Sequence, residues 1–461
     1  MTRRTAAIAA TVFGALWLMG LAAYPLLEST EGRYASIAWD MAHGGGWIIP
    51  VFNDVALFSK PPLAYWAGAA ALEILPDTEW AVRLPATLAL VLCAWLTMRL
   101  ARLLGLDRQR ARWAGLMTLL SPLALVQGHM TTNDIFLWTG ILLTYTSTLG
   151  KRTDPPARLL AGLGLAMGFM AKGHMILFWT VIPPVAWGFS GRGDFGPLRR
   201  LIHPVTLLTF LALAAPWFAA VLHRHPGLLG YWLSDEVAGR VLSSAHGRTG
   251  PWWYFLPLVP MLMLPWLPEL VRGLRRPLTA QEHPGWRWLM ILWVAVPLVI
   301  FSLSGSKRPN YLLPMVTPLT ILTVAGIPAV PGRRLRIRTG GWMIVALAWP
   351  FAWGGFHLGP PTRSLVRYSQ ETGATLACYQ VMPGSIVFYN RGPVAEFSFP
   401  RDVRFGGEIV APDKEVSAAN LLLDRGGMIL TTRNRRESLE HWLGRKIRVR
   451  TKDGDFMLVG P

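Results

Sequence analysis

Charge is what this sequence has least of. Only 15% of its 461 residues are Asp, Glu, Lys or Arg, where a soluble chain carries about 25%, so an ordinary water-soluble enzyme is excluded. Acids are scarcer still: 26 Asp and Glu stand against 45 Lys and Arg, for a formal charge of +19. No compact basic domain or recognition motif accompanies that excess, so no nucleic-acid partner is expected. Cysteine is nearly missing. Cys93 lies in an apolar run and Cys378 in a distal polar region, so neither a disulfide nor a metal cluster is expected.

What is there is apolar. Hydrophobic residues make up 52% of the chain. Long apolar runs recur with Trp at their ends, where amphipathic rings sit at headgroup level. The first run, "MTRRTAAIAATVFGALWLMGLAAYPLL", lacks a convincing small-residue cleavage site and reads as an uncleaved span. A crossing helix needs roughly 20 mostly apolar residues, with ~17 tolerated. Spans are expected near 7–25, 81–104, 112–128, 133–149, 157–171, 173–189, 204–222, 252–271, 287–304, 309–328 and 340–357. That makes about eleven by the same length rule.

Loop charge sets the orientation, because short cytoplasmic loops are rich in Lys and Arg. With the N-terminus inside, "RLARLLGLDRQRAR", "KRTDPPAR", "GRGDFGPLRR", "RGLRRPLTAQEHPGWR" and "PGRRLRIR" all face the cytoplasm, where anionic membrane lipids are their partners. Merging the two spans around "AKGH" would scatter these clusters over both sides. The outer face then holds residues 26–80, the tips "GHMTTND" and "AKGH", the 223–251 loop, "SGSKRPN" and the C-terminus. In "GRYASIAWDMAHGG", Tyr34, Ile37, Ala38 and Met41 recur at helical spacing, which suits a helix lying in the membrane interface. Beyond residue 358 the pattern changes: "SIVFYN", "EIVA", "GMILTT" and "KIRVRTKDGDFMLVG" alternate like strands around a helix near 414–424. The expected architecture is a polytopic α-helical membrane domain over 1–358, with interfacial helices in its first outer loop at 26–80. A small soluble α/β domain over 359–461 follows on the outer side.

Ionisable residues that are not loop anchors gather on that outer face: Glu31, Arg33, Lys60, Asp134, Lys172, His174, Asp235, Glu236, Arg240, His246 and Lys307, with Tyr311 among them. Such groups at membrane depth are expensive and mark functional sites by default. Several cations in one wet cavity suit a phosphate, which Arg grips bidentately and Lys meets as a point charge. An acid among them activates a nucleophile. Plainer roles compete. Arg33 and Tyr34 also fit interfacial anchors, Glu31 an ion pair with Arg33, and Asp134 a cap on the helix after it. His174 fits a satisfied interfacial histidine, and Arg240 a surface pair with Asp235 or Glu236.

The stretch "TEGRYASIAWDMAHGGGWIIPVFNDVALFSKPPLAYW", followed by "AVRLPATLAL", resembles the polyprenyl-phosphate-dependent glycosyltransferases of the multi-span GT-C fold. These include bacterial aminoarabinose transferases that modify lipid A and, more distantly, protein O-mannosyltransferases. The match runs through Glu31, Arg33, Tyr34, Gly45, Trp47, Pro50, Lys60, Pro61, Pro62, Leu63, Trp66, Arg83, Leu84 and Pro85. It continues in "TNDIFL" with Asp134, "AKG" with Lys172, and "SGSKRPNYLLPMVTPL" with Lys307, Tyr311 and Pro314. It covers about residues 10–330.

The resemblance implies a polyprenyl (undecaprenyl-type) phosphate sugar as donor and a periplasmic acceptor, either lipid A, another envelope glycolipid or a protein. It places the chain in the bacterial inner membrane. Arg33, Lys60 and Tyr311 would hold the donor phosphate, with Tyr34, Lys172 and Lys307 as further candidates for contacting it. Glu31, the acid of the first loop, would serve as base or orient the acceptor. Asp134, at an outer tip, is a second catalytic candidate, binding the acceptor or the sugar, and Arg240 and His246 are candidates for meeting the acceptor. Two departures stand out: Thr30 occupies the first place of an acid–Glu pair. Ser59 stands where the aminoarabinose branch has a metal-binding Glu, whose partner is a His that His246 would supply. No protein metal site is expected, and the part of a divalent cation stays open. Two rivals remain: a flippase for a lipid-linked sugar, although paired repeats and broken midplane helices are not evident, and a non-catalytic polyprenyl-phosphate binder.

Overall fold

The computed structural model describes residues 3–28, 30–150, 154–232, 250–276, 285–328, 331–355, 362–398 and 412–461. Among the described residues, each stretch expected to span is occupied mainly by helix, but proline interrupts several of them. The 112–128 stretch is two helices, Arg108–Leu120 and Pro122–Gly128, parted at Ser121, whose ψ of 131° leaves the helical region. Pro122 causes the break, since it lacks an N–H and pushes the residue before it toward extended backbone. In the proline-rich 252–271 stretch, Trp252–Met261 and Leu264–Arg275 meet at a 64° bend. The "AKGH" break is a short turn, with Gly173 at φ 61°, between helices Pro155–Lys172 and Met175–Phe189. Among the described residues, Glu79–Leu103, Pro204–Arg224 and Trp286–Leu303 are individually long and apolar enough to cross a membrane.

The chain divides into two compact units, one of residues 1–58, 65–84 and 349–461 and the other of residues 59–64 and 85–348. The C-terminal region is thus grouped with the first loop. In the second unit, helices Asn133–Thr148 and Pro155–Lys172 meet along a seam of small residues. A Cβ on Gly140 would lie 2.6 Å from the Gly164 carbonyl oxygen and the Gly168 nitrogen. Backbones approach this closely only where side chains are lacking, the usual device between membrane helices. Tyr145 completes the packing, stacking 3.9 Å from the Trp293 ring and donating its hydroxyl to the Trp179 carbonyl at 3.0 Å. The seam brings the start of one helix, at Asp134, beside the end of the other, at Lys172.

In the first unit, helix Thr30–Asp40 relaxes into a π-turn over Met41–Gly45. Gly44 and Gly46 carry it out of the helix at φ 101° and 77°, angles that favour glycine. A hairpin follows, β1 (Val51–Phe52) with β2 (Val55–Ala56), turning on Asn53 and Asp54 at φ 50° and 65°. Both central residues of a tight hairpin turn need positive φ, and Asn and Asp tolerate it best. The stripe expected to lie in the membrane interface is instead buried inside the protein: Tyr34, Ile37, Ala38 and Met41 are all 6% exposed or less. An apolar helical stripe records burial without saying whether lipid or protein covers it.

The described residues between 376 and 460 include a five-stranded mixed sheet of β3 (Leu376–Tyr379), β4 (Ala395–Phe397), β5 (Met428–Thr432), β6 (Arg448–Asp453) and β7 (Phe456–Gly460) in the order β4-β3-β5-β7-β6. β4, β3 and β5 run parallel, and β7 and β6 close the other edge as an antiparallel hairpin. "SIVFYN", expected as a strand, is the helix Ile386–Asn390. A short apolar run does not declare its period, and here the preceding Pro-Gly-Ser starts a helix. "EIVA" lies outside the described residues.

Candidate functional site

Glu31 sits in the first turn of helix Thr30–Asp40 and is fully buried. Its carboxylate is clamped by Arg83, with Nε to Oε1 at 2.8 Å and Nη2 to Oε2 at 3.0 Å, and Oε2 also accepts the Leu27 amide at 2.7 Å. Arg83, equally buried, gives its other donors to the carbonyls of Leu21 (2.7 Å), Tyr24 (2.9 Å) and Pro25 (3.0 Å), and lies 4.1 Å above the Tyr24 ring. A guanidinium has five N–H groups, and all are used. The ion pair of Glu31 is therefore made with Arg83 and not with Arg33. It fixes the chain from Leu21 to Glu31 as one hydrogen-bonded knot.

Arg33, two residues on, is half-buried, and its Nε is shielded from solvent with no hydrogen-bond partner among the described residues. Tyr34 turns inward, its ring edge-on to Tyr65 at 4.9 Å. Lys60, half-buried in the other unit, donates Nζ to the Ser59 carbonyl.

The second unit collects a polar cluster from three separate segments. Asp134, 7% exposed, receives Lys172 Nζ on Oδ1 and Asn310 Nδ2 on Oδ2 at 2.5 Å. The Lys172 ammonium also lies 5.0 Å from the centre of the Tyr311 ring, and the Tyr311 hydroxyl is 3.4 Å from Ser306 Oγ. Asp134, Lys172 and Tyr311, three of the expected site residues, are thus neighbours.

Lys307 is not part of this cluster. It donates Nζ to the carbonyls of Phe301 (3.0 Å), Ser302 (2.7 Å) and Ser304 (2.7 Å). An ammonium has three protons, so all are spent closing the end of helix Trp286–Leu303, and burial lowers the Lys307 pKa from its usual value. A direct phosphate contact by Lys307 does not fit this geometry. His174 is exposed at the "AKGH" turn. Arg240 and His246, with Asp235 and Glu236, lie outside the described residues.

The side chain before Lys60 decides the metal question. Zinc is held by thiolate, imidazole or carboxylate, and Ser59 offers a hydroxyl where the resemblance implies a carboxylate ligand. The donor set does not fit such an ion there. Among the described residues, no three His, Cys, Asp or Glu side chains group closely enough to hold a metal.

Arg83 and Asn310 are the residues that sequence reasoning passed over. Arg83 stood in the matched "RLP" motif without a role, although a lone arginine inside an apolar helix signals a buried partner. Asn310 carried no such signal.

Comparison with known proteins accords with the motifs. Residues 59–221 match the family of dolichyl-phosphate-mannose-protein mannosyltransferases. The chain is 31% identical over 358 residues to the undecaprenyl phosphate-alpha-4-amino-4-deoxy-L-arabinose arabinosyl transferase of Pectobacterium carotovorum, covering 75% of this chain and 63% of that one. The enzyme of the same description from Edwardsiella ictaluri is 30% identical over 334 residues, covering 70% and 59%. The chain thus spans about 60% of the length of the curated relatives it matches. The crystal structure of ArnT from Cupriavidus metallidurans bound to undecaprenyl phosphate superposes with a TM-score of 0.85 at 20% identity, covering 100% of this chain and 98% of that one. The resemblance read from the first-loop motifs is borne out, and the fold is the polytopic helical membrane fold of GT-C type.

Proposed function

We propose, from this GT-C fold and the motif-bearing first loop, that the chain is a glycosyltransferase. It moves one sugar from a polyprenyl phosphate, undecaprenyl-type as in its bacterial relatives, to an acceptor on the periplasmic face of the inner membrane. In this reading about eleven helices cross the bilayer by the length rule, the N-terminus is cytoplasmic, and the C-terminal α/β region is periplasmic. The acceptor is lipid A, another envelope glycolipid or a protein.

One observation carries the reading. Arg83 has every donor satisfied, whereas Arg33 keeps a shielded Nε without a partner among the described residues. A shielded N–H without a partner is costly until an acceptor satisfies it, and a phosphate, which an arginine can grip bidentately, is such an acceptor. Lys60, Lys172 and Tyr311 are the further donor contacts. Lys307 and Tyr34 hold the fold around them.

In the reaction, an acceptor oxygen lone pair forms the bond to the anomeric carbon. The carbon–oxygen bond to the phosphate breaks, and its electrons remain on the departing polyprenyl phosphate. Cations preorganised around a leaving oxygen stabilise charge as it develops there. Two lipid-anchored reactants held at one membrane level supply proximity. A hydroxyl acceptor must release a proton, and in this reading Asp134, whose carboxylate is held by Lys172 and Asn310, takes it as general base. A phosphate acceptor is already ionised and needs no base. Glu31 acts indirectly, holding the loop through Arg83.

The test is the purified protein in detergent with a panel of polyprenyl phosphate sugars and candidate acceptors. Free polyprenyl phosphate and labelled acceptor are expected to appear together, and Lys60→Ala is expected to abolish both. Movement of the intact donor across a vesicle membrane without its cleavage would instead establish the flippase. Chelators are expected to leave the rate unchanged; loss of activity restored by zinc would overturn the inference from Ser59.

A further inference from the structure

We infer that the C-terminal α/β region sets the pose of the first-loop helix, with Glu28, Ser36, Ser385 and Tyr389 acting as positioning residues for the Arg33 guanidinium. The inference rests on the donor-phosphate role given to Arg33 above.

Helix Thr30–Asp40 has 11 residues, too few to hold its own shape in water, so its pose comes from what touches it. The Glu31–Arg83 pair is one anchor. The second belongs to the turn and short helix around Ser385, in the same compact unit. Ser36 is fully buried; its Oγ donates to the Gly384 carbonyl at 2.7 Å and accepts the Phe388 amide at 3.1 Å. Just before the helix, the Glu28 carboxylate accepts the Ser385 amide at 3.2 Å, the Ser385 hydroxyl, and Thr362 Oγ1 at 3.0 Å. The Tyr389 hydroxyl accepts the Leu26 amide at 2.8 Å and donates to Glu79 Oε1 at 3.1 Å. Gly32 completes the fit, because a Cβ there would stand 2.5 Å from the Ser385 nitrogen.

These contacts fix rotation as well as position. Glu31 and Ser36 project roughly 140° apart around the helix axis, so the two anchors together leave the helix no axis about which to turn. Arg33 lies between them in sequence, and among the described residues its Nε is shielded without a partner. A polar network with every member satisfied rigidifies what it holds, and a misplacement of about 1 Å at a reacting centre costs on the order of 100-fold. Apolar packing is present as well, with Trp39 of the same helix against the cluster of Leu365, Val366, Ile386 and Val387, but apolar contact is non-directional, whereas the hydrogen bonds at Ser36 and Glu28 fix the rotation.

The experiment measures undecaprenyl phosphate affinity and steady-state kinetics for wild type, Glu28→Ala, Glu28→Gln and Tyr389→Phe. Glu28→Ala is expected to raise the donor KM and Kd by about 10-fold or more, leaving the acceptor KM unchanged. Glu28→Gln, which keeps a carbonyl acceptor for Ser385 and Thr362, is expected to restore most of the donor affinity. Tyr389→Phe removes a single oxygen and is expected to shift the donor constants in the same direction, so the inference stands or falls even if Glu28→Ala fails to fold. Wild-type donor affinity in folded Glu28→Ala and Tyr389→Phe would overturn it. A fall in active fraction with the donor Kd unmoved would assign these residues to stability alone. Failure of the wild-type protein to bind undecaprenyl phosphate would instead overturn the reading of Arg33.

Discussion

Arg83→Met is expected to cost the folded protein about 3–5 kcal/mol, because it strands a fully buried carboxylate without its countercharge. The carbonyls of Leu21, Tyr24 and Pro25 lose their donors in the same step, and each buried acceptor left unsatisfied adds to the cost. Removing both partners, as Arg83→Met with Glu31→Met, is expected to recover much of the loss, since a buried ion pair replaced by apolar side chains of similar volume is often nearly neutral. Thermal unfolding of the four proteins in detergent measures the coupling as a double-mutant cycle. Additive losses would show that the pair does not hold the loop. Glu31→Gln belongs to the same cycle. It keeps the shape of the side chain but leaves Arg83 charged and unpaired, so turnover is expected to fall along with stability.

Asp134→Asn is expected to lower kcat by about 10²–10⁴-fold with a hydroxyl acceptor, the usual worth of a positioned general base. Asparagine fills the same space and still accepts from Asn310 or Lys172, so the fold is expected to survive. Circular dichroism and size-exclusion behaviour check that. The donor KM is expected to move little, which separates a base from a donor-binding group. Wild-type kcat in a folded Asp134→Asn would remove Asp134 from the chemistry. An unchanged rate with phosphate acceptors alone would identify the acceptor as one already ionised.

The first loop was legible because its motif is local: Glu31, Arg33 and Tyr34 fall within one helical turn, and the spacing to Lys60 and Arg83 carries the resemblance. The helices were legible from apolar run length; the breaks at Ser121 and within 252–271 were not, each stretch reading as one span although prolines stand at both. The cluster at Asp134 was legible only as separate candidates. Asp134 is 38 residues from Lys172 and 176 from Asn310. What brings Lys172 to it is the Gly140, Gly164 and Gly168 seam, which in an apolar sequence looks like ordinary small residues. Arg83 was matched but not understood, since three of its five acceptors are backbone carbonyls that no side-chain pattern announces. Lys307 misled for the related reason that a lysine spent on carbonyls reads in sequence like one free for phosphate. The Tyr34–Met41 stripe gave the right helix and the wrong neighbour, protein in place of lipid.

Titration of undecaprenyl phosphate into the purified wild-type protein and into Arg33→Ala tests the central claim most directly. A charge-assisted hydrogen-bonded contact is worth about 1.5–3 kcal/mol, so the alanine variant is expected to bind roughly 10- to 100-fold more weakly while unfolding at the wild-type temperature. Equal affinity in the two proteins would contradict the claim that this guanidinium holds the donor phosphate.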